Sequence, residues 1–556
     1  MPEASTPTAG ADPGGADPNG ADPNGADPNG ADPSGADPGG ADPGGADPGG
    51  TVAVVGGGIS GLTAAWRLAT LPRPPRVILL DAAPEVGGKL AVGAVGPVEI
   101  DLGAESMLAR RPEGIALARE VGLGALLVHP VTTRANVLRA GRLHPLPGGT
   151  VMGVPSRVEG LAGLLTDDEV RRVAAEPHLP APPLDADTDV ASWVTARVGR
   201  AVVDRLVEPL LGGVYAGHAD RLSLAATVPA LWQRARAGGS LLAAPAALAA
   251  PVTQVAEPAA PAEATTPAEP AAPVFAGLAG GVGRLPRALA RQLAARGVEL
   301  RSRTTVRELV PRPGGGWRLG LGPAPAGGLH HGSHLDVDAV VLAVPARAAS
   351  RLLGTACPAA AVELAGIEAA SVAVVAAVVE RATLAGLPGS GVLVPPREGR
   401  AVKAMTFSSA KWAWVDALDG RLAVVRLSLG RHCEEAVLQR DDADLAALAL
   451  ADAGEVLGRP LAPATVATRV VRWGGSLPQP AVGHLDRIAR LRAAVAAVPG
   501  LAVCGAALDG VGIPACIAAA TRAAGEVAAH LGGARGSRAA GDPGPRARAG
   551  EARMGA

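Results

Sequence analysis

A glycine-rich loop between an apolar run and a helical pattern restricts the fold more than any other feature of this chain. The segment TVAVVGGGISGLTAAWRLA, residues 51–69, places Gly56, Gly58 and Gly61 in a GxGxxG spacing directly after the apolar run. The first glycine of such a loop allows a tight turn, the second lets the backbone approach a pyrophosphate, and the third lets the helix pack closely on the strand. Because a helix N-terminus also favours an anion, the loop predicts a dinucleotide-binding βαβ unit.

An acidic residue stands where such a unit needs one. RVILLDA, residues 76–82, is typical of a buried strand, and Asp81 lies at its end, 20 residues after Gly61. A carboxylate at this position accepts hydrogen bonds from a ribose. The other interpretation is a glycine-rich turn in an unrelated α/β fold, but that would not explain a strand, a helix and an acid at the expected spacing.

The charge distribution excludes one large class of partner. Residues 1–50 hold nine of the 52 acidic residues and no Lys or Arg, so the rest of the 556-residue chain has a net charge of +8. This positive charge is too diffuse to indicate a nucleic acid, but it suits a small polyanionic substrate. We therefore expect no nucleic-acid partner.

Cysteine usage and apolar stretches predict a cytoplasmic protein. The four cysteines are far apart and form no CxxC pair, which is typical of a reduced compartment. No signal-peptide pattern opens the sequence, and the apolar stretch Val372–Val379 is too short to span a bilayer. We expect no transmembrane segment, and peripheral membrane contact stays open.

Three segments have compositions that do not predict a packed core. Residues 11–50 are eight tandem ADPxG units, and we predict a disordered acidic arm over 1–50. An Ala/Pro-rich stretch at 241–273 is expected to form a surface loop, and the Gly/Ala/Arg-rich residues 533–556 a disordered tail.

Strand and helix patterns alternate through most of the remaining sequence. Strand patterns such as VELRS and DAVVLAV follow or precede helical patterns such as PEGIALAREVGL and GVGRLPRALARQLAARG. This alternation predicts an α/β fold with a doubly wound parallel sheet. Residues 360–470 have an antiparallel pattern instead, which predicts a second sheet in a separate substrate domain.

Further motifs indicate which dinucleotide is bound. Asp81 is followed by VGGKL, and the chain later contains GAES at Gly103–Ser106 and Thr305–Val306 after a strand. This arrangement resembles the flavin amine oxidase superfamily, in which the valine backbone contacts the adenine of FAD. The resemblance implies FAD as the cofactor. The residues it implies as FAD-binding are Gly56, Gly57, Gly58, Ile59, Ser60, Gly61, Asp81, Gly88, Lys89, Gly103, Ala104, Glu105, Ser106, Val306, Ala506, Val511, Gly512 and Ile513.

The C-terminal motif narrows the resemblance to one group. GxxxxGVGIPxCI, from Gly505 to Ile517, is similar to the porphyrinogen oxidases of the haem pathway. LHPLPGGTVMGVPS, VEPLLGGVYAGHADRLSL and RWGGSLPQPAVGH extend the similarity over about 52–531. It is strongest to the Gram-positive branch, which acts on coproporphyrinogen III.

The resemblance implies a specific architecture. We expect a monoamine oxidase-like FAD-binding domain assembled from several segments, together with a mixed-sheet substrate domain and a helical domain. The FAD-binding segments are 51–154, 273–350 and 471–532, the helical domain is 155–272, and the substrate sheet is 351–470.

The resemblance also implies a reaction. It is the six-electron oxidation of coproporphyrinogen III to coproporphyrin III in haem biosynthesis, with O₂ as acceptor and hydrogen peroxide as product. Since aromatisation drives the reaction and the flavin carries its hard step, we assign no general base. Transfer of the product to a ferrochelatase stays open. So do three alternatives: a protoporphyrinogen IX oxidase, a flavin amine oxidase, and a porphyrin-binding scaffold without turnover.

Four residues are candidates for contact with substrate. Propionates need cationic donors, and Arg110, Arg111 and Lys411 could supply them. Tyr215, the single tyrosine, is a candidate for the pocket wall. The competing interpretations are a solvated arginine pair at the start of a helix and ordinary core packing of the tyrosine. Pro480 stands where many members of the resembled group have an aromatic residue.

Two groups of reactive side chains have ordinary explanations. His330, His331 and His334 lie close together but lack a further ligand at useful spacing, so we predict a surface loop and no metal site. Cys504 and Cys516 lie in the segment expected beside the flavin, where we expect them to act as small buried apolar side chains.

Overall fold

The computed structural model describes residues 49–242, 273–322 and 333–540, with side chains described up to 533. The predicted ADPxG arm, almost all of the Ala/Pro-rich loop, His330 and His331 lie outside the described residues. His334, which the sequence placed in a loop, is described and begins a strand.

The elements of the described residues are as follows. The strands are β1 Thr51–Val55, β2 Arg76–Leu80, β3 Val92–Val95, β4 Val98–Asp101, β5 Met107–Leu108, β6 Leu127–Val128, β7 Asn136–Arg139, β8 Arg142–Pro145, β9 Thr150–Val151, β10 Val154–Pro155, β11 Phe275–Leu278, β12 Glu299–Arg301, β13 Thr305–Pro311, β14 Trp317–Gly322, β15 His334–Val337, β16 Ala339–Leu342, β17 Ala369–Glu380, β18 Gly391–Leu393, β19 Val402–Phe407, β20 Leu422–Leu429, β21 Thr465–Pro478 and β22 Leu501–Val503. The helices are α1 Ile59–Ala69, α2 Pro112–Glu120, α3 Asp167–Ala174, α4 Val190–Val198, α5 Arg200–Val202, α6 Glu208–Tyr215, α7 Leu224–Thr227, α8 Pro229–Ala237, α9 Arg284–Ala295, α10 Ala346–Ala356, α11 Pro358–Ala365, α12 Arg381–Leu384, α13 Ser408–Lys411, α14 Ala413–Asp416, α15 Asp442–Leu457, α16 His484–Ala496, α17 Ala506–Asp509 and α18 Ile513–Ala540.

A five-stranded parallel sheet forms the centre of the cofactor side. Its strand order is β12-β2-β1-β16-β22, and every neighbouring pair is parallel. Apolar side chains of α1, α9 and α18 cover one face, and those of α10, α11 and α16 cover the other. The predicted doubly wound sheet is confirmed. Parallel strands end at one edge, so the turns after β1, β2, β16 and β22 meet there.

A second, mixed sheet has the order β21-β17-β20-β19-β18-β7-β8. All neighbouring strands are antiparallel except β18 and β7, which are parallel. Helix α15 packs on one face through an apolar cluster. The sequence predicted this sheet within 351–470, whereas β7 and β8 come from 136–145 and β21 extends to Pro478. Local periodicity indicates a strand but not its partner, so the recruitment of distant strands could not be predicted.

Helices α3 to α8 form a third body around a separate apolar core. Its polar centre is the fully buried Glu176, which pairs with Arg197 and accepts hydrogen bonds from the backbone of Leu241 and Leu242. These hydrogen bonds hold Leu241 and Leu242 against the helices.

The C-terminal helix differs from the expectation at its end. Helix α18 continues to Ala540, although a disordered tail was predicted from 533. Alanine and arginine in this segment favour a helix, but Gly532, Gly533 and Gly536 oppose it, so helix propensity alone does not explain the continuation. Residues 541–556 lie outside the described residues. Among the helices described, none combines the length and the apolar composition needed to traverse a bilayer.

Candidate flavin and substrate site

The glycine loop after β1 leaves space for a phosphate group. Gly56 has φ +109°, and a Cβ there would lie 2.5 Å from the carbonyl oxygen of Ala343. A Cβ on Gly61 would overlap the carbonyl oxygen of Gly56. Gly58 is different: it has φ −72°, and its Cβ position has no atom within 4 Å. The first and third glycines are thus required by packing within the protein, and Gly58 faces an open space at the N-terminus of α1.

Asp81 organises this loop from the end of β2. Its carboxylate accepts hydrogen bonds from the backbone N–H of Gly57 and, at 2.6 Å, of Ala83. Each carboxylate oxygen retains a lone pair, so a ribose hydroxyl could still donate to it. The N–H of Thr304 donates to the carbonyl oxygen of Asp81 at 2.8 Å, which brings the start of β13 and Val306 to the same place.

The VGGKL segment crosses the glycine loop. The N–H of Gly87 donates to the carbonyl oxygen of Gly57 at 2.8 Å, and a Cβ on Gly88 would lie 3.2 Å from the Cα of Gly58. Lys89 is accessible to solvent yet has protein atoms on most sides, and this burial lowers the pKa of its ammonium group. A cation in a concave wall beside a helix N-terminus suits a bound anion.

The C-terminal loop after β22 leads into α17 and α18. Ala506 begins α17 after Gly505, whose Cβ position has no atom within 4 Å. Val511 packs against the apolar core of the helical body, whereas Ile513 packs into the core of the parallel sheet. Gly512 lies between them and precedes α18. This loop therefore connects the helical body with the core of the parallel sheet, and Gly505 and Gly512 add no side chain to it.

The buried thiols lie close to the same region. Cys504 and Cys516 are buried and unoxidised, and burial raises the pKa of each thiol. Ser60, in the first turn of α1, forms a hydrogen bond with the Cys516 thiol in the first turn of α18. Both cysteines thus fill space between elements, as the sequence predicted, and Ser60 and Cys516 join the two helix N-termini.

The GAES segment is held by charges from the second sheet. Glu105 forms ion pairs with Lys411 at 2.5 Å and with Arg426 at 2.7 Å, and Arg426 also donates to the carbonyl oxygen of Gly103. Burial opposes ionisation, but the two cations lower the pKa of Glu105 to about 2. The Glu105 carboxylate is therefore neutralised within the protein. The N–H of Ala104 donates to the carbonyl oxygen of Lys89 at 3.0 Å, and Ser106 is half-buried.

A second buried carboxyl group stands next to this triad. Asp101 accepts hydrogen bonds from the N–H groups of Val282 and Gly283, just before α9. Burial raises the pKa of Asp101 to about 7, against the effect of these donors and of Arg426. Asp101, at the end of β4 and just before GAES, therefore joins that segment to the start of α9 through a carboxyl group that titrates near neutrality.

One face of the second sheet is open. Side chains of the central strands β19 and β20 alternate between fully buried and half-exposed, although both strands have neighbours on each side. The partly exposed residues on this open face are Ala404, Thr406, Arg426 and Ser428, of which the Arg426 side chain is only 10% exposed. Most are small, so they form a flat floor. Across from it, Gly212 of α6 is buried but has no atom within 4 Å of its Cβ position.

Comparison with known proteins identifies the family. A model of "Flavin containing amine oxidoreductase" matches residues 59–528. Coproporphyrinogen III oxidase of Mycobacterium tuberculosis (strain ATCC 25618 / H37Rv) is 37% identical over 84% of this chain and 95% of its own length. The protein of the same name from Bacillus subtilis (strain 168) is 31% identical over 84% and 95%. The chain belongs to the flavin containing amine oxidoreductase family.

A solved structure agrees with this assignment. The crystal structure of a "Putative protoporphyrinogen oxidase" from Exiguobacterium sp. 255-15 is 29% identical, with a TM-score of 0.73, and covers 87% of this chain and 99% of its own. The flavin oxidoreductase described here is an enzyme with FAD as its cofactor. The open space beside Gly58, lined by Gly88 and Lys89, fits the pyrophosphate of that cofactor.

The four candidate substrate residues of this flavin oxidoreductase differ in their burial and in their charge partners. Arg110 is exposed and has no hydrogen bond or ion pair within the described residues. Arg111, just before α2, pairs with Glu113 at 2.5 Å. Tyr215 packs in the helical core, where burial raises the pKa of its hydroxyl to about 12. Lys411 is engaged by Glu105, so its charge is not free for a propionate.

Sequence reasoning missed Arg426. Its one signal was a cation inside an alternating apolar strand, LAVVRLSL. Such a pattern also fits a solvated strand face, and only the pairing with Glu105 distinguishes the two. Within the described ranges, no cluster of three or more His, Cys, Asp or Glu residues could hold a metal ion.

Proposed function

We propose that this flavin oxidoreductase oxidises coproporphyrinogen III to coproporphyrin III in haem biosynthesis. The observation that carries the proposal is the extent of similarity to relatives of that name. It covers 84% of this chain and 95% of the relative, and so includes both the cradle around Gly58 and the open face of the second sheet. The reaction consumes three O₂ and releases three hydrogen peroxide molecules per porphyrin.

The residues around the open face support positioning of the substrate rather than acid–base chemistry. When bound, FAD accepts the substrate's electrons in pairs and passes them to O₂. The floor of Ala404, Thr406 and Ser428 carries small side chains, which leaves room for a bulky macrocycle. The nearest ionised groups, Glu105 and its two cations, neutralise each other in part. No general base is therefore assigned, in keeping with the sequence expectation.

The FAD-binding residues named from the sequence stay a proposal for this chain. The glycines at 56–61, Asp81, Gly88 and Lys89 surround the space beside α1, and Ala506 to Ile513 border it from the other side. In this arrangement Glu105 acts indirectly, by fixing the backbone of GAES. The segment boundaries from the sequence stay a proposal, and residues 136–145 and 471–478 also contribute strands to the second sheet.

Substrate contacts are proposed for two of the four candidates. Arg110 has an unpaired charge and follows β5 directly, so it could meet a propionate at the edge of the cavity. Tyr215 ends α6, the helix that faces the floor, and could contribute to the wall. We propose no substrate contact for Arg111 and Lys411, because Glu113 and Glu105 already hold them in ion pairs.

Location and downstream partner also stay predictions. Each of the four cysteines is free, which is in keeping with the predicted cytoplasmic location. Transfer of coproporphyrin to a ferrochelatase is an expectation from the resemblance, and peripheral contact with a membrane surface stays open.

The test is an aerobic competition. Purified FAD-loaded protein receives equal amounts of coproporphyrinogen III and protoporphyrinogen IX, and the two porphyrins are separated and quantified against a control without enzyme. We expect coproporphyrin in strong excess, with one hydrogen peroxide for each electron pair removed. Porphyrin formation no faster than the control would contradict the proposal and support a flavin amine oxidase or a non-catalytic scaffold.

The second candidate is protoporphyrinogen IX oxidation. The printed name of the Exiguobacterium protein, "Putative protoporphyrinogen oxidase", keeps it as an alternative, whereas the relatives named coproporphyrinogen III oxidase favour the first candidate. The two substrates require the same chemistry and differ in the number of propionates. An excess of protoporphyrin in the competition would therefore favour this candidate over the first.

A further inference from the structure

Two cations are buried side by side at one end of the second sheet. Lys403 is the extra residue of a β-bulge between β19 and β20, is 4% exposed, and donates to the carbonyl oxygen of Gly430 at 2.5 Å. Arg431, just after β20, is 6% exposed and donates to the carbonyl oxygen of Val394 at 2.9 Å. Bulges commonly redirect a side chain, and this one directs Lys403 towards the loop that carries Arg431.

Neither cation has a carboxylate partner within 4.0 Å in the described part of the chain. Glu208 and Glu434 influence Arg431 only at longer range. Glu208 is itself bonded to His218 at 2.9 Å and to the N–H of Ala219 at 2.7 Å. Burying two unpaired positive charges is unfavourable, and here burial and the charge of Arg431 lower the pKa of Lys403 to about 7. The pair therefore lacks an anion.

Helix α6 passes close to this pair, since the N–H of His432, next to Arg431, donates to the carbonyl oxygen of Ala216, just after α6, at 2.7 Å. Gly212 follows Glu208 by one helical turn and so occupies the same face of α6. Its Cβ position has no atom within 4 Å, and the adjacent Gly213 would contact Leu393 at 3.6 Å. Leu393 directly precedes Val394, whose carbonyl oxygen holds Arg431. A side chain is thus missing from α6 at the point where the helix passes the two cations.

We propose that Lys403 and Arg431 bind one carboxylate of the substrate in the gap beside Gly212. The proposal deepens the porphyrinogen oxidase function and rests on it. Lys403 lies opposite Ser428 and Leu429, and Arg431 follows the end of β20, so the pair stands at the other end of β20 from Arg426 and the Glu105 triad. A propionate bound there sets which edge of the macrocycle points away from the flavin cradle.

The experiment measures porphyrin binding rather than turnover. FAD-loaded wild type, Lys403→Met and Arg431→Met are titrated with coproporphyrin III and with its tetramethyl ester, using quenching of porphyrin fluorescence. We expect each variant to bind coproporphyrin III at least tenfold more weakly than wild type does. The ester has no carboxylate, so its affinity should be the same in all three proteins. Arg351→Met, on the exposed side of α10, is the matched control and should change neither affinity.

A second variant keeps the proposal testable if the buried substitutions lose FAD or unfold. Gly212→Val adds a side chain where the structure has space, so FAD content and the melting temperature should be retained. If a carboxylate occupies the gap, this variant binds coproporphyrin III at least tenfold more weakly. Wild-type affinity in Gly212→Val, or in both cation variants, would overturn the assignment.

Failure of the underlying function gives a different result. If wild type converts coproporphyrinogen III and the variants bind coproporphyrin III normally, only the carboxylate site is wrong. If wild type binds neither coproporphyrin III nor its ester and produces no porphyrin, the proposed function is wrong and the site loses its ligand with it.

Discussion

The cofactor cradle and the open face of the second sheet are built in opposite ways. In the cradle, four glycines within residues 56–61 create the open space by omitting side chains, and we propose that backbone groups bind the cofactor there. On the open face, Ala404, Arg426 and Ser428 come from strands that only the folded sheet brings together. A cradle made of backbone suits a ligand rich in phosphate, whereas a floor made of side chains can be adapted to the shape and charge of a substrate.

The two regions meet at a buried polar seam. Glu105 and Asp101 belong to the segment that leads from the cradle, and Arg426 belongs to the sheet. Charge pairing across this seam fixes the position of the floor relative to the cradle. The following predictions test each region and then the seam, in order of decreasing effect.

The largest effect is expected in the cradle. Gly58→Val places its β-carbon where no protein atom lies within 4 Å, and a φ of −72° suits any L-residue. Any loss of FAD must therefore come from blocked access to the pyrophosphate. We expect flavin content, measured as the ratio of absorbance near 450 nm to that at 280 nm, to fall roughly tenfold or more, equivalent to at least about 1.4 kcal/mol of binding.

The control is Gly354→Ala on the exposed side of α10, which should retain its flavin. If Gly58→Val purifies with the flavin content of wild type, the pyrophosphate does not lie at Gly58 and the cradle must be placed elsewhere.

The seam comes next. Glu105→Gln leaves Lys411 and Arg426 buried without a counter-charge, so we expect the free energy of unfolding in urea to fall by about 3–5 kcal/mol at pH 7. Because the pKa of Glu105 is lowered to about 2, its contribution is complete above the unfolded value of 4.5 and is lost as the pH falls towards 2. The difference between the two proteins should shrink accordingly.

The exposed pair Arg111–Glu113 supplies a matched comparison. Glu113→Gln should cost no more than about 1 kcal/mol, because that pair is exposed to solvent. Equal losses for the two substitutions would mean that the triad does not join the cradle to the sheet.

Asp101 gives the seam a pH dependence of the opposite sign. Its pKa is raised from 3.8 to about 7, so the folded state holds a proton that the unfolded state has already released. Stability should therefore decline as the pH rises from about 4 to about 7, by roughly 2–4 kcal/mol, and then level off. Asp101→Asn lowers stability at every pH but should remove this decline. Urea midpoints between pH 4 and 8 measure it, and an unchanged slope would contradict the assignment.

The smallest effect is expected at the edge of the floor. Arg110→Ala should raise the KM for coproporphyrinogen III by roughly two- to fivefold, the scale of an exposed charge pair, with little change in kcat. Arg111→Ala should leave KM unchanged, because Glu113 already holds that side chain. A larger effect at Arg111 than at Arg110 would reverse the proposed roles.

Sequence reasoning was most successful where function depends on neighbouring residues. The GxGxxG spacing, Asp81 and the alternation of strands and helices predicted the parallel sheet and its open edge correctly. It was least successful where one side chain depends on a distant partner. Lys411 was a reasonable propionate ligand from its own sequence, but Glu105, more than 300 residues away, holds it.

The sequence by itself determined the cradle. A turn that excludes side chains requires glycines at a fixed spacing, followed by a helix, and this pattern can be recognised in the sequence. Only the tertiary structure decided which charges are free. It recruited β7 and β8 into the substrate sheet, paired Glu105 with Arg426, and left Lys403 and Arg431 buried beside a gap. The physical reason is that the energy of a charge depends on burial and on the nearest opposite charge, and both are set by strand pairing between residues far apart in the chain.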